Sequence, residues 1–328
     1  MGIGAAAILL GLLIPFLVGN ALIPSDDEID DFINDFEDDD DPRATPPATE
    51  GNDDLELTDG PDQVSGGAGF DEISGGKGFD FLRGGSGTDV LRGDEGKDVL
   101  GGNSGPDALF GGGWDDVLDG GSSGDLLNGG VGADRLFGRS GGDTLIGDNG
   151  ADLLVGNDGT DTLTGGDGKD VLVGGDYLDR EPFLRQWRDA VRDDDPTRLQ
   201  DTGEPQTQTE LSDDRRTDRL FGGNGDDLLL LGEGDEGEGG ADEDTFAGIH
   251  VTDDSASDTA AEVSDYDPAE DILIVYYDTD TAPAITVEDD GADAVVLADG
   301  VPTLRVIGAA GNVTPGDVAT TTLPPDWF

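Results

Sequence analysis

One aliphatic residue returns every nine positions between Ser65 and Leu172: Ile73, Leu82, Leu91, Leu100, Leu109, Leu118, Leu127, Leu136, Leu145, Leu154, Leu163 and Leu172. Two places before each stands an aspartate: Asp71, Asp80, Asp89, Asp98, Asp107, Asp116, Asp125, Asp134, Asp143, Asp152, Asp161 and Asp170. Five places before each aspartate there is always a glycine, from Gly66 to Gly165. The twelve units run without insertion or deletion, and the register extends to Asp62 before them and Asp179 after. A nine-residue unit with one inward aliphatic side chain cannot bury a core by itself, but stacked units can.

The pattern predicts the path of the chain. Asp-x-Leu-x forms a short strand, with the aliphatic side chain to one face and its neighbours to the other. The glycine-rich hexad reverses the direction, so two units make one coil with a strand on each of two facing sheets. Ile73, Leu91, Leu109, Leu127, Leu145 and Leu163 then line one wall, and Leu82, Leu100, Leu118, Leu136, Leu154 and Leu172 the other. Coils repeat at about 4.8 Å. The position after the invariant glycine is Gly in most units and Asp94, Asn103, Arg139, Asp148 or Asn157 in the rest. Asp and Asn are the non-glycine residues that best tolerate a left-handed backbone, so this position is expected at positive φ, with Arg139 strained. Trp114 and Ser123 stand where the second turn glycine is expected, and should weaken the turns ending in Asp116 and Asp125.

Such a core is thin. One leucine contributes about 1.5–3 kcal/mol, against roughly 1–2 kcal/mol of backbone ordering for each of nine residues. Something else must hold the turns, and charge says what. The chain has 328 residues with 76 acidic and 17 basic side chains, a formal net charge of −59. That excludes nucleic acid as a partner and implies a cationic one. Aspartates on one edge lie eighteen residues apart in sequence and one coil apart in space, and would repel each other without a cation between them. Aspartate with uncovered turn carbonyls is an all-oxygen shell suited to Ca²⁺, while Mg²⁺ prefers to keep its waters. On the order of ten ions in two rows are expected. There is no cysteine and a single histidine, His250, so thiolate sites, disulfides and histidine-rich zinc sites are ruled out.

The units "GGKGFDFL", "GGSGTDVL" and "GGDGKDVL" (165–172) match the GGxGxDxUx nonapeptide. In this the chain resembles the RTX, or hemolysin-type, calcium-binding repeat proteins. The pattern resumes at "FGGNGDDLL" with Asp227 and less cleanly at "GGADEDTF" with Asp244. The resemblance implies a parallel β-roll, Ca²⁺ held by Asp227 and the twelve aspartates Asp71 to Asp170, and export by type I secretion machinery.

The flanks complete the reading. Residues 2–24 carry no charge and fit a hydrophobic helix serving as anchor or signal over 1–24. An acidic, proline-containing linker follows over 25–55, and then the roll over 56–179. Residues 180–217 interrupt it, and because 39 residues separate Asp179 from Asp218 the register is expected to be reset. "REPFLRQWRDAVR" (180–192) reads as a helix with Phe183, Leu184, Trp187 and Val191 on one face. Basic residues are concentrated there, which suits packing on the acidic roll better than docking an anionic partner. Leu153, Val155, Val171 and Val173 point outward yet are apolar, so the helix is expected to cover them. Final repeats occupy 218–246. Residues 247–328 hold the strand-like runs "DILIVYY", "DAVVLA" and "PTLRVIG", a small β cap over the open end. "SDYDPAEDILIV" resembles the segment after the last repeat in RTX proteins, and the closing "DWF" resembles type I secretion tails.

The fold expected is therefore all-β, a parallel β-roll solenoid with a C-terminal β cap, a helical insert and an N-terminal hydrophobic helix. No P-loop, H-E-x-x-H or G-x-S-x-G is present, and no enzyme activity is assigned. The expected function is a secreted calcium-binding protein whose roll folds on Ca²⁺ outside the cell, with residues 2–24 as its membrane tether or export signal. The alternative is a cell-surface adhesin or module that bridges through Ca²⁺ to anionic surface polysaccharide.

Overall fold

The computed structural model describes residues 51–175, 216–250, 259–277 and 282–322. Among these all regular structure is strand, arranged in one thirteen-stranded and one eleven-stranded sheet. From Asp54–Glu56 to Ile272–Tyr277 successive strands alternate between the sheets, so neighbours within each sheet are two places apart and parallel. Phe81–Gly87 of the eleven-stranded sheet pairs with Gln63–Gly69 before it and Val99–Ser104 after it, always eighteen residues apart. Ile73, Leu91, Leu109, Leu127, Leu145 and Leu163 line the wall of the larger sheet, and Leu82 to Leu172 that of the smaller. All twelve side chains are fully buried. The nine-residue period thus translates directly into the two-walled coil.

The strands are longer than Asp-x-Leu-x. Phe81–Gly87 spans seven residues and carries its pairing through the glycines, Gly85↔Asn103 and Ser86↔Ser104. Stacked turns follow one another in register, so their backbone groups pair between coils just as the wall residues do. The position after the invariant glycine is left-handed in every unit: φ is 72° at Asp94, 75° at Asn103, 78° at Arg139, 72° at Asp148 and 67° at Asn157. Arg139 is held there by its side chain. Its Nε and Nη2 donate to Asp119 Oδ2 at 3.0 and 2.9 Å, and the guanidinium lies 5.0 Å over the Phe137 ring.

Trp114 and Ser123 also take positive φ, 85° and 92°, where Gly87 has 143° and Gly168 has 158°. The larger residues retreat toward the left-handed helical well, and the turns close. The Asp98 N–H still donates to Asp116 Oδ1 at 2.7 Å, and the Asp107 N–H to Asp125 Oδ1 at 2.8 Å. The expected weakening is therefore not visible in turn geometry and reduces to local strain. Trp114 is 66% exposed, so little packing offsets that strain. Left-handed backbone costs a non-glycine residue about 1–2 kcal/mol, partly balanced by the unfolded-state entropy of glycine. Trp114→Gly is expected to raise the melting temperature by about 1–4 °C in saturating calcium. Scanning calorimetry checks this, and a lower melting temperature would show that the indole is a net stabiliser.

The insert does not reset the register. Thr162 pairs with Arg219 and Val171 with Leu228, so both sheets continue across it as if the extra residues were absent. A solenoid tolerates this because only the strand ends must meet, and a longer loop costs little more closure entropy. The next coil is one residue short: Arg219↔Glu236 and Leu228↔Thr245 are seventeen apart. Its wall position is Gly237, and Leu231 fills the space, with methyl carbons 3.0 and 3.1 Å from where a Cβ would stand.

The C-terminal runs are a continuation of the roll. Ile272–Tyr277 joins the smaller sheet beside Thr245–His250, and Val318–Thr322 follows it as the last strand. Val301–Val306 joins the larger sheet in parallel, and only Asp293–Ala298 and Ile285–Asp290 turn antiparallel to finish its edge. At the other end the first strand is Asp54–Glu56, which begins two residues inside the stretch read as linker. The hydrophobic segment 1–24, the rest of the linker to residue 50 and the helix at 180–192 lie outside the described residues.

The outer faces of the two sheets differ. On the smaller sheet Leu153, Val155, Val171 and Val173 are buried, and so are Phe81, Val99, Val117 and Phe137 on earlier coils. On the larger sheet the equivalent Val90, Ala108, Thr144 and Thr162 are half-buried, and Leu126, Arg219 and Glu236 are exposed. The buried outer face therefore begins with the first coils, earlier than the run of valines suggested. Trp187, expected to cover it, lies outside the described residues.

Candidate metal centre

The aspartates form two columns, one along each edge of the roll. Asp53, Asp71, Asp89, Asp107, Asp125, Asp143, Asp161, Asp218 and Asp235 make one. Asp62, Asp80, Asp98, Asp116, Asp134, Asp152, Asp170, Asp227, Asp244 and Asp271 make the other. One bonding rule builds both. The N–H of each aspartate donates to Oδ1 of the aspartate one coil later: Asp71 to Asp89 at 2.9 Å, Asp116 to Asp134 at 2.7 Å. The residue after that later aspartate donates back, as Val90 N–H does to Asp71 O at 2.8 Å. The carboxylate thus takes the place of a main-chain carbonyl where the turn lifts the backbone out of the ladder.

Oδ1 is consumed in this way and Oδ2 is not. Among the described residues, Oδ2 of Asp71, Asp80, Asp89, Asp98, Asp107, Asp116, Asp125, Asp134, Asp143, Asp152, Asp170 and Asp227 is buried with no hydrogen-bond partner. Each of these residues is at most 4% exposed. An isolated buried oxygen of an ionised carboxylate is costly, and a run of them along a fold demands an explanation.

The invariant glycine shows where these oxygens point. A Cβ on Gly147 would stand 2.4 Å from Asp152 Oδ2 and 2.6 Å from the carbonyl oxygen of Gly165 one coil on. On Gly93 the distances are 2.4 Å to Asp98 Oδ2 and 2.6 Å to Gly111 O. Any side chain here would collide with both oxygens, so only glycine leaves them open. Carboxylate and carbonyl oxygens share one cradle, with no nitrogen or sulfur ligand near. The donor set is that of a hard cation. Among the described residues no three acidic or histidine side chains gather as a metal-holding group. A cation here would instead draw on single carboxylates and main-chain oxygens, repeated along the roll.

Proton affinities carry the same message. Burial, with smaller contributions from neighbouring carboxylates, lifts Asp116 to about 9 and Asp152 and Asp227 to about 8. It lifts Asp80, Asp98, Asp107, Asp125 and Asp134 to about 7, and Asp143 and Asp170 to about 6. Without a cation, dry stacked carboxylates hold protons near neutral pH. A cation between them would reverse that preference.

The sequence pattern missed several column members. Asp218 occupies the place eighteen residues after Asp161 that the period gave to Asp179, and its signal was present: Leu220 stands two places on and Asp227 nine places on. Asp235 has glycine in place of the aliphatic residue, and Asp271 lies off the period.

The RTX calcium-binding nonapeptide repeat family (four copies) matches residues 47–82, 65–100, 75–109, 101–136, 110–145, 146–176 and 211–236. No curated protein sequence matches the chain. Among solved structures, the extracellular lipase LipA from Serratia marcescens aligns at 14% identity with a TM-score of 0.23. The alignment covers 76% of this chain and 40% of the lipase, so the chain spans two fifths of that protein's length.

Proposed function

We propose, from the premise that this chain carries RTX calcium-binding nonapeptide repeats between residues 47 and 236, that it is an exported protein whose roll folds by binding several Ca²⁺ ions outside the cell. The observation that carries the reading is the row of orphaned Oδ2 atoms, most of them facing a carbonyl oxygen across an obligatory glycine.

In this reading Asp71, Asp80, Asp89, Asp98, Asp107, Asp116, Asp125, Asp134, Asp143, Asp152, Asp161, Asp170 and Asp227 are the ligands. Each does two jobs: Oδ1 fixes the turn to the previous coil, and Oδ2 with the turn carbonyls holds the ion. Calcium supplies the positive charge that makes a stack of ionised carboxylates tolerable. In a low-calcium cytosol the net charge of −59 keeps the chain extended and suited to export. Millimolar extracellular calcium matches the 10⁻⁴–10⁻³ M dissociation constants typical of extracellular modules. No catalytic role is assigned, because the repeated carboxylates are taken up as ligands.

Calorimetric titration of the chelator-treated chain tests the reading. On the order of ten ions should bind, with proton release growing as the starting pH falls. Saturation by one or two ions, or none, would overturn it.

A further inference from the structure

The segment Ser264 to Asp271, "SDYDPAED", closes the column that starts at Asp62, and its carboxylates differ from those of the repeats. Asp271 Oδ1 accepts the Asp244 N–H at 3.1 Å, as any column member would. Its Oδ2 accepts the Asp267 N–H at 2.7 Å, where the repeat aspartates have no partner. The Asp271 N–H does not continue the column: it turns back to Asp267 O at 2.8 Å. Asp265 is engaged on both oxygens as well. Oδ1 takes the Gly239 N–H at 3.0 Å and Oδ2 the Gly240 N–H at 2.9 Å, the two donors of the turn leading to Asp244.

Local chemistry explains the change. Pro268 favours a turn immediately after Asp267. Asp267 Oδ1 caps the Ala269 N–H at 2.9 Å, and Asp267 O accepts the Glu270 N–H at 3.1 Å. This tight turn presents the Asp267 N–H to the Asp271 carboxylate. In a repeat the glycine hexad leaves that carboxylate oxygen facing a carbonyl instead.

We infer that 264–271 is a cation-free terminator, in which Asp265 and Asp271 receive from backbone N–H groups the positive partner that the repeat aspartates receive from an ion. The inference rests on the calcium reading above and limits it. The metal row on this edge stops before Asp271, although Asp271 belongs to the column and sits in the same stacking register. A cation at Asp271 Oδ2 would have to displace the Asp267 N–H.

The test counts ions in the full chain. The double substitution Asp265→Asn, Asp271→Asn is expected to bind as many Ca²⁺ ions as the unaltered chain, with a lower melting temperature in saturating calcium. Asp116→Asn, by contrast, is expected to lose at least one ion. Loss of ions by the double variant would overturn the inference. Should that variant fail to fold, anomalous scattering from calcium-grown crystals of the unaltered chain decides. Peaks beside Asp80 to Asp170 with none within 3 Å (roughly a Ca–O bond plus margin) of Asp265 or Asp271 support it, and a peak there overturns it. Absence of any peak along either column is a separate result, and overturns the calcium reading itself.

Discussion

Excess EGTA at pH 7.5 is expected to abolish the β-sheet circular dichroism of the roll, and readdition of calcium to restore it in one cooperative transition. The apolar core cannot hold the coils alone. Each unit buries one wall leucine, about 1.5–3 kcal/mol, while ordering each of its nine residues costs roughly 1–2 kcal/mol. Backbone pairing between coils narrows the gap but is modest net. Against this stand twelve buried Oδ2 atoms of the repeat aspartates with no hydrogen-bond partner among the described residues. An uncompensated buried charge costs several kcal/mol, so the ionised roll without a cation is far from stable. Ligand binding to the folded state alone contributes about 2.7 kcal/mol per site at a hundredfold excess over Kd. Because each coil is a template for the next, these contributions act along one continuous pair of sheets. Loss should therefore be steep in free calcium, and a spectrum unchanged in EGTA would refute the role assigned to the aspartates.

Much of this was legible in the sequence because a solenoid is nearly one-dimensional. A period of nine placed each wall leucine, each left-handed turn position and each glycine that a cation cradle requires. What the period could not show was everything that breaks it. Asp218, Asp235 and Asp271 complete the columns at separations of 57, 17 and 27 residues. Loops of different length are equivalent to the ladder, provided the strand ends meet in register. The C-terminal runs looked like a separate cap because their glycines are gone. They extend both sheets instead, since "ILIVYY" has the continuous apolar character of a parallel strand buried on both faces, and Leu273, Ile274, Val275 and Tyr276 are all fully buried. The Oδ1 bonds between coils were not legible either. They depend on a side chain replacing a carbonyl, which spacing alone does not encode.

Acid is expected to do part of the work of calcium. In the chelated protein, lowering the pH from 8 to about 5 should restore much of the β signal lost to EGTA. Eleven column aspartates, Asp80, Asp98, Asp107, Asp116, Asp125, Asp134, Asp143, Asp152, Asp170, Asp227 and Asp244, are raised from 3.8 to between about 6 and about 9 in the cation-free roll, burial being the main cause. Between those limits the folded state binds more protons than the unfolded one. The stability they contribute is therefore fully present below pH 3.8 and is lost as pH rises through the folded values. At pH 5 those eleven carboxylates are mostly neutral in the roll, their mutual repulsion falls, and Oδ2 can carry a hydrogen. The sequence pI of about 4.1 keeps the chain negatively charged and soluble there. Calcium affinity should move the opposite way, because the ion must displace those protons: titration at pH 5 should give weaker binding than at pH 8. Asp116→Asn makes the check specific. Asp116 has the highest proton affinity of the columns, about 9, and an amide removes its titration. The acid-induced transition of that variant should shift to higher pH, because one ionisation that opposes the roll is gone. A chelated roll that stays unfolded at pH 5, or a calcium affinity that does not change with pH, would show that desolvation of the columns is not what calcium relieves.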